Sequence, residues 1–213
     1  MRLFLIRHGQ TEWNNGSRAQ GHTDIALDET GLRQSQLAGE ALRNEGIEAV
    51  ISSDLRRSRQ TADPIAKAAG VGLTLDPRLR ERTFGDWEGD MYAEVGERMQ
   101  ALGKEGGLSL FDVRPPNGES VRDVWDRVGP AAAEIKAGNK TTAVVSHGGA
   151  GALLLAQIVG GTIEVSRAFR FANAGITELS QRSDGTFYIV RYNDTAHLKA
   201  ETVLSGDLDG THR

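Results

Sequence analysis

The chain has 213 residues, 38% hydrophobic and 25% charged, which suits one folded domain with a full core. A net charge of −4 excludes a general nucleic-acid binder, which needs excess basic surface, but leaves room for a local cation cluster around a small phosphorylated substrate. The absence of cysteine excludes disulfides, thiolate chemistry and Cys-ligated metals.

The first predicted element, at 2–7, holds the apolar run Leu3-Phe4-Leu5-Ile6, the pattern of a strand buried on both faces of a parallel sheet. It stops at Arg7-His8-Gly9. Ligands of open α/β sheets bind just beyond the carboxyl ends of strands. A cation, an imidazole and a glycine there predict an anion site with a nucleophile or base in it. Residues 12–23 are polar, carry Gly16 and Gly21, and are expected to be a loop. Asp28 is placed to cap a helix over 29–44, with Leu32, Leu37, Ala38, Ala41 and Leu42 as its apolar stripe and Gly46 after its end.

A second short strand at 49–51 closes on Ser52-Ser53. A helix from about 54 is expected to break near Pro64 and stop at Gly70. A third strand is placed at 73–75, an irregular connection at 77–89 and a helix at 91–102. Residues 103–118, with several glycines and a Pro-Pro pair, are a lid candidate inside a substrate-specificity insertion at 90–118. A helix at 120–136 carries Val121, Val124, Trp125 and Val128 on one face, with a bend expected at Gly129-Pro130.

The strand at 142–146 also ends in a histidine, Ser146-His147-Gly148, and a helix at 150–159 follows. Segments 175–179 and 187–192 flank Ser183-Asp184-Gly185 as a hairpin. Strands alternating with helices predict an α/β protein, a three-layer α/β/α sandwich with a mostly parallel sheet and one late antiparallel strand. One domain spans 1–204, and 205–213 is expected to be a flexible tail. The N-terminal apolar run is too short for a signal peptide and no stretch reaches the length of a membrane span, so a cytoplasmic protein with no membrane partner is expected.

Parallel strands bring the ends after residues 7, 52 and 146 to one rim, so His8, His147 and arginines from 7 and 56–57 converge there, beside N–H groups at helix starts. A phosphoryl group carries roughly two negative charges near neutral pH. Arginine suits it because its planar fork pairs with phosphate oxygens and stays charged. Histidine attacks phosphorus only through an unprotonated nitrogen, and neighbouring arginines disfavour imidazolium. A leaving alcohol then needs a proton, for which a carboxylic acid is the usual donor.

Four stretches in order, RHGQTEWN at 7–14, SSDLRRSRQTA at 52–62, LRERTFGDWEG at 79–89 and VVSHGG at 144–149, closely resemble the histidine phosphatase superfamily, the phosphoglycerate mutase-like proteins. The resemblance covers residues 2 to about 198, where YNDTAHL is similar to the phosphatase branch. It implies that His8 is the nucleophile and becomes phosphohistidine, that Arg7 and Arg57 clamp the phosphate, and that His147 binds it from the opposite side. Glu81 matches the family's acid/base carboxylate. Asn14, Gln20 and Gly21 match positions lining the phosphate or substrate side, and Gly148 offers a backbone N–H. The resemblance implies no metal, and no cofactor is expected.

Rivals exist. Arg56 and Arg59 flank Arg57, and are assigned to solvated or ion-paired helix positions. Glu88 competes with Glu81 and is assigned to holding the Trp87-Glu88-Gly89 turn. His22, His197 and His212 are assigned structural or surface roles, and Trp13, Trp87 and Trp125 packing roles. The alcohol is expected to meet residues 84–87 and the lid candidate, whose Leu108, Leu110 and Phe111 suggest a partly apolar or bulky substrate body.

Phosphatase and mutase share a first half-reaction and differ in what attacks the phosphohistidine. Residues 90–117 are short for a cofactor-dependent mutase and carry only Arg98, Lys104 and Arg114 as basic residues, so a phosphatase is read first, with a phosphoglycerate mutase-type transfer as the alternative. A non-catalytic phosphate-dependent binding protein is a third reading, disfavoured because every catalytic position holds the expected residue type. A homodimer is compatible with all three.

Overall fold

A computed structural model describes residues 1–199, so the end of the domain at 204 and the tail expected at 205–213 lie outside the described residues. Six strands form one sheet: β1 (Arg2–Arg7), β2 (Ala49–Ser52), β3 (Leu73–Leu75), β4 (Thr142–Ser146), β5 (Ile176–Gln181) and β6 (Phe187–Asp194), in spatial order β3-β2-β4-β1-β5-β6. The β1–β4, β4–β2 and β2–β3 pairings are parallel, and β5 runs antiparallel to both β1 and β6. This is the mixed sheet that the sequence predicts.

Among the described residues six α-helices accompany it, α1 (Glu12–Asn15), α2 (Glu29–Leu42), α3 (Arg56–Ala69), α4 (Tyr92–Gly106), α5 (Val121–Ala137) and α6 (Gly148–Ile158), with α2 and α3 on one face of the sheet and α5 and α6 on the other. The period of two in β1 explains its unbroken apolar run. Leu3 and Leu5 pack with Ala131 and Ile135 of α5 and Leu154 and Leu155 of α6. Phe4 and Ile6 pack on the other face with Ala38 and Leu42 of α2 and Ala62 and Ile65 of α3. Each fully buried side chain of this size contributes about 1.5–3 kcal/mol. The two cores therefore hold the central strand from both sides.

Helix boundaries depart from expectation where a distant contact intervenes. α3 runs through Pro64 without breaking and ends at Gly70, whose φ is +70°. Pro64 forfeits one ladder bond, but its turn packs closely on α2, where a Cβ on Gly39 would lie 2.8 Å from the Pro64 carbonyl oxygen. α5 likewise continues past Gly129-Pro130. Residues 12–15 form a short helix instead of loop, because Thr11 and Asn14 make a reciprocal capping box. The 77–89 connection contains two 3₁₀ turns, Pro77–Leu79 and Gly85–Trp87.

The lid candidate shrinks. α4 extends to Gly106, and Gly107, at φ +60°, ends it. Val113 is buried with Ala19, Phe84, Val95 and Met99 in a satellite core. The segment's end is stitched down by Asp86 N–H to Pro116 O (3.0 Å) and Glu119 N–H to Thr83 O (3.0 Å). Phe111 packs beside Val121 and Trp125, whereas Leu108 and Leu110 are exposed.

Candidate active site

The register places Arg7 opposite Ser146 and Ser52 opposite Val145, so the residues that follow share one rim. His8 N–H donates to Ser146 O (3.0 Å) and Ser53 N–H to Val145 O (3.0 Å), which carries the ladder one residue past each strand. The His8 and His147 rings then stand 5.1 Å apart, centre to centre, tilted by 60°. Both imidazoles are almost fully buried.

The hydrogen-bond partners assign both tautomers. His8 Nδ1–H donates to Gly9 O at 2.7 Å, which leaves Nε2 bare. Burial lowers the His8 pKa well below 6.5, and the Arg57 and Arg7 guanidiniums push it the same way. His147 Nδ1 accepts from Arg57 Nε (3.3 Å), so its Nε2–H faces Ser53 Oγ (2.9 Å) and Ser58 Oγ (3.2 Å). Burial, then Arg57, His8 and Arg7, hold the His147 pKa well below 6.5. Long-range ¹H–¹⁵N NMR at pH 6.5 should therefore find His8 neutral and protonated at Nδ1. A free imidazole would be half protonated there, and a half-protonated His8 would contradict this assignment.

Arg57 is fully buried at the start of α3, whereas Arg56 is exposed. Its fork is aimed by two carbonyls: Nη1–H donates to Thr23 O (2.9 Å) and Nη2–H to Gly21 O (2.7 Å). Burial brings its pKa down to about 10. Arg7 Nη1–H donates to Phe171 O (2.7 Å), while its buried Nε has no hydrogen-bond partner among the described residues. Burial lowers the Arg7 pKa. The buried Arg57 and the half-buried Arg7, both with spare donors, stand beside two neutral imidazoles and form a cationic pocket, which an anion stabilises.

Glu81 reaches this pocket from the loop after the first 3₁₀ turn. Its Oε2 accepts from Gly149 N–H (2.9 Å), and its Oε1 from Ala150 N–H (3.0 Å) and Arg82 N–H (2.9 Å). A Cβ on Gly148 would lie 3.6 Å from Arg7 Nε and 3.9 Å from Glu81 Oε2, so that residue sits between the cation and the carboxylate. α6 starts at Gly148, two residues earlier than expected, because Glu81 supplies the acceptor for its free N–H groups. The next glycine leaves room for this approach: a Cβ on Gly149 would lie 2.6 Å from Glu81 Oε1 and displace the carboxylate.

Glu88 does hold the turn. It accepts from His22 N–H (2.8 Å), Thr23 N–H (2.8 Å), Thr83 Oγ1–H (2.7 Å) and Phe84 N–H (3.1 Å). Gly21, at φ +52°, gives Arg57 its carbonyl, and a side chain there would collide with Glu88. Gln20 is buried with Oε1 unpartnered among the described residues. Asn14 Oδ1 closes the Thr11 capping box and accepts from Asn173 Nδ2–H (3.2 Å), which also donates to His8 O (3.0 Å). Ser53, Ser58 and Asn173 were not singled out by sequence. The two serines lie inside the SSDLRRSRQTA stretch, whereas Asn173 has no local signal. Among the described residues, no cluster of three or more His, Asp or Glu side chains is arranged to hold a metal. No described helix is long and apolar enough to cross a membrane.

Fold and site together define a three-layer α/β/α protein with an anion pocket and paired imidazoles at the strand ends. The family model of the histidine phosphatase superfamily (branch 1) matches residues 3–195, and the chain belongs to that superfamily. It is 35% identical over 205 residues to the "Probable phosphoglycerate mutase GpmB" of Yersinia pestis, covering 93% of this chain and 95% of the relative. Among solved structures, the mycobacterial glucosyl-3-phosphoglycerate phosphatase aligns at TM-score 0.78 with 33% identity, over 91% of this chain and 99% of that one. The alpha-ribazole phosphatase of Shigella flexneri aligns at TM-score 0.80 with 26% identity, over 91% and 96%.

Proposed function

We propose that this chain is a metal-independent phosphomonoesterase that hydrolyses a small phosphorylated metabolite through a phosphohistidine on His8. The observation that carries this reading is the bare Nε2 of a neutral His8 beside the buried Arg57 and the half-buried Arg7. The substrate phosphoryl group enters between the imidazoles. Arg7 Nε and the free N–H groups of Arg57 take its oxygens, and the incoming dianion draws Arg57 Nε away from His147. His147 then gains a reason to take a proton and to donate to the transferring group.

His8 Nε2 attacks phosphorus and the P–O bond to the alcohol breaks. Glu81, protonated, gives its proton to the leaving oxygen. Its Oε2 suits delivery, since it accepts one backbone N–H bond where Oε1 accepts two. The carboxylate then takes a proton from water, which attacks the phosphohistidine and releases inorganic phosphate.

A mutase reading has the name of the Yersinia relative in its favour. Against it, two of the three basic residues at 90–117 are already engaged: Arg98 by Asp90 (2.6 Å) and Glu94 (3.6 Å), and Arg114 by Asp123 (2.5 Å). They are poorly free to hold a second phosphate. A panel of phosphomonoesters that includes 3-phosphoglycerate tests the two. Inorganic phosphate should accumulate from at least one member. Movement of phosphate between carbons without release would establish the mutase instead.

A further inference from the structure

We infer that Arg127 of α5, paired with Glu119, is a positioning residue that sets the proton-donating Glu81 through its backbone. The inference rests on the acid role proposed for Glu81. All five N–H donors of the Arg127 guanidinium are used. Nη1 donates to Arg78 O (2.7 Å) and Arg80 O (3.0 Å), and Nη2 to Glu81 O (3.2 Å). Nε and Nη2 bind the two Glu119 carboxylate oxygens at 2.8 and 2.9 Å. Glu119 grips the far side of the same segment: its Oε2 accepts from Thr83 N–H (3.1 Å), and its own N–H donates to Thr83 O (3.0 Å). His22 Nε2–H donates to the Glu81 carbonyl at 2.8 Å.

This clamp answers a need of the segment. Residues 80–84 belong to no helix or strand, so no ladder of backbone hydrogen bonds fixes the Glu81 Cα. A helix side chain that binds two of these carbonyls and the Arg78 carbonyl just before them ties the segment to the core, because α5 packs on the sheet through Ala131 and Ile135. Glu81 is thus held at both ends, its carbonyl by Arg127 and His22 and its carboxylate by the start of α6. Neither Arg127 nor Glu119 touches the carboxylate. Their effect on chemistry passes through placement, and a proton donor misplaced by about 1 Å costs roughly 10²-fold.

The test compares kcat/KM, which reports the alcohol-releasing half-reaction, for p-nitrophenyl phosphate and for an alkyl phosphate turned over by the wild type. The aryl oxygen leaves without a proton, whereas the alkyl oxygen needs one. Arg127→Met should lose roughly 30–100-fold on the alkyl ester and less than about 3-fold on the aryl ester. Its Kd for inorganic phosphate should be unchanged, and in a Glu81→Gln background it should add no further loss. Arg127→Lys, which keeps the charge but cannot reach three carbonyls, should recover only part of the alkyl activity. If Arg127→Met does not fold, Glu119→Gln serves the same comparison.

Equal losses on both esters, or full additivity with Glu81→Gln, would reduce Arg127 to a structural residue and overturn the inference while leaving the acid role of Glu81 intact. A loss in Glu81→Gln itself that ignores the leaving group would overturn both.

Discussion

His8→Ala is expected to lower phosphomonoester turnover on the order of 10⁴-fold or more, and to abolish labelling of the protein by a phosphoryl donor. The size of the effect follows from the absence of a substitute nearby. The His147 ring is 5.1 Å away, but its Nε2–H is directed at Ser53 and Ser58, and its Nδ1 accepts from Arg57. The Glu81 carboxylate is tied to the start of α6 by Gly149 and Ala150. Neither presents a free electron pair where the His8 Nε2 stands. Arg7, Arg57 and His147 are untouched by the substitution, so inorganic phosphate should still bind the variant. Steady-state turnover with binding by isothermal calorimetry separates the two effects. Retained turnover would remove His8 as nucleophile and leave the pocket as an anion site only.

Such a site was legible in the sequence wherever the determinant is local. Leu3 to Ile6 must be buried on both sides, so the turn at Arg7-His8-Gly9 must lie at a strand end, and the same holds for the run before His147. The motif singles out Arg57 over Arg56 as the phosphate clamp, and the structure buries the first and exposes the second. What failed to show is what depends on chain returning from far away. α6 opens on glycines, poor helix formers, and looked two residues shorter because its effective cap, Glu81, lies 68 residues away from Gly149. Pro64 signalled a break that packing on Gly39 overrides. The Arg127 clamp gave no signal, since a helix arginine eight residues from a glutamate reads as surface charge until the loop it binds is in place. Local pattern and motif resemblance thus named the candidate groups, and long-range contacts decided how each is aimed.

Glu81→Gln should produce the second largest effect, and its form is more informative than its size. The amide keeps the shape, and its single oxygen can still accept from Ala150 and Arg82, but its NH2 then replaces the acceptor that Gly149 uses, and it cannot exchange a proton. Loss of general acid catalysis should cost about 10²–10⁴-fold in kcat/KM for alkyl phosphates, with little loss for p-nitrophenyl phosphate, whose leaving group needs no proton. In the proposed mechanism the same residue is needed again as base toward water. With the aryl ester the first half-reaction should therefore run and the second stall. Rapid mixing should then show a burst of nitrophenol approaching one equivalent per protein, followed by slow turnover, and phosphohistidine should accumulate to a level the wild type never reaches. An acceptor hydroxyl would need the same base, so the two activities are separated in the wild type, where a mutase would discharge the intermediate onto added phosphoglycerate and a phosphatase would pass it to water. Wild-type phosphate release that added phosphoglycerate does not divert would thus support hydrolysis, and a loss without a burst in Glu81→Gln on the aryl ester would place the defect in His8 attack and away from Glu81 as base.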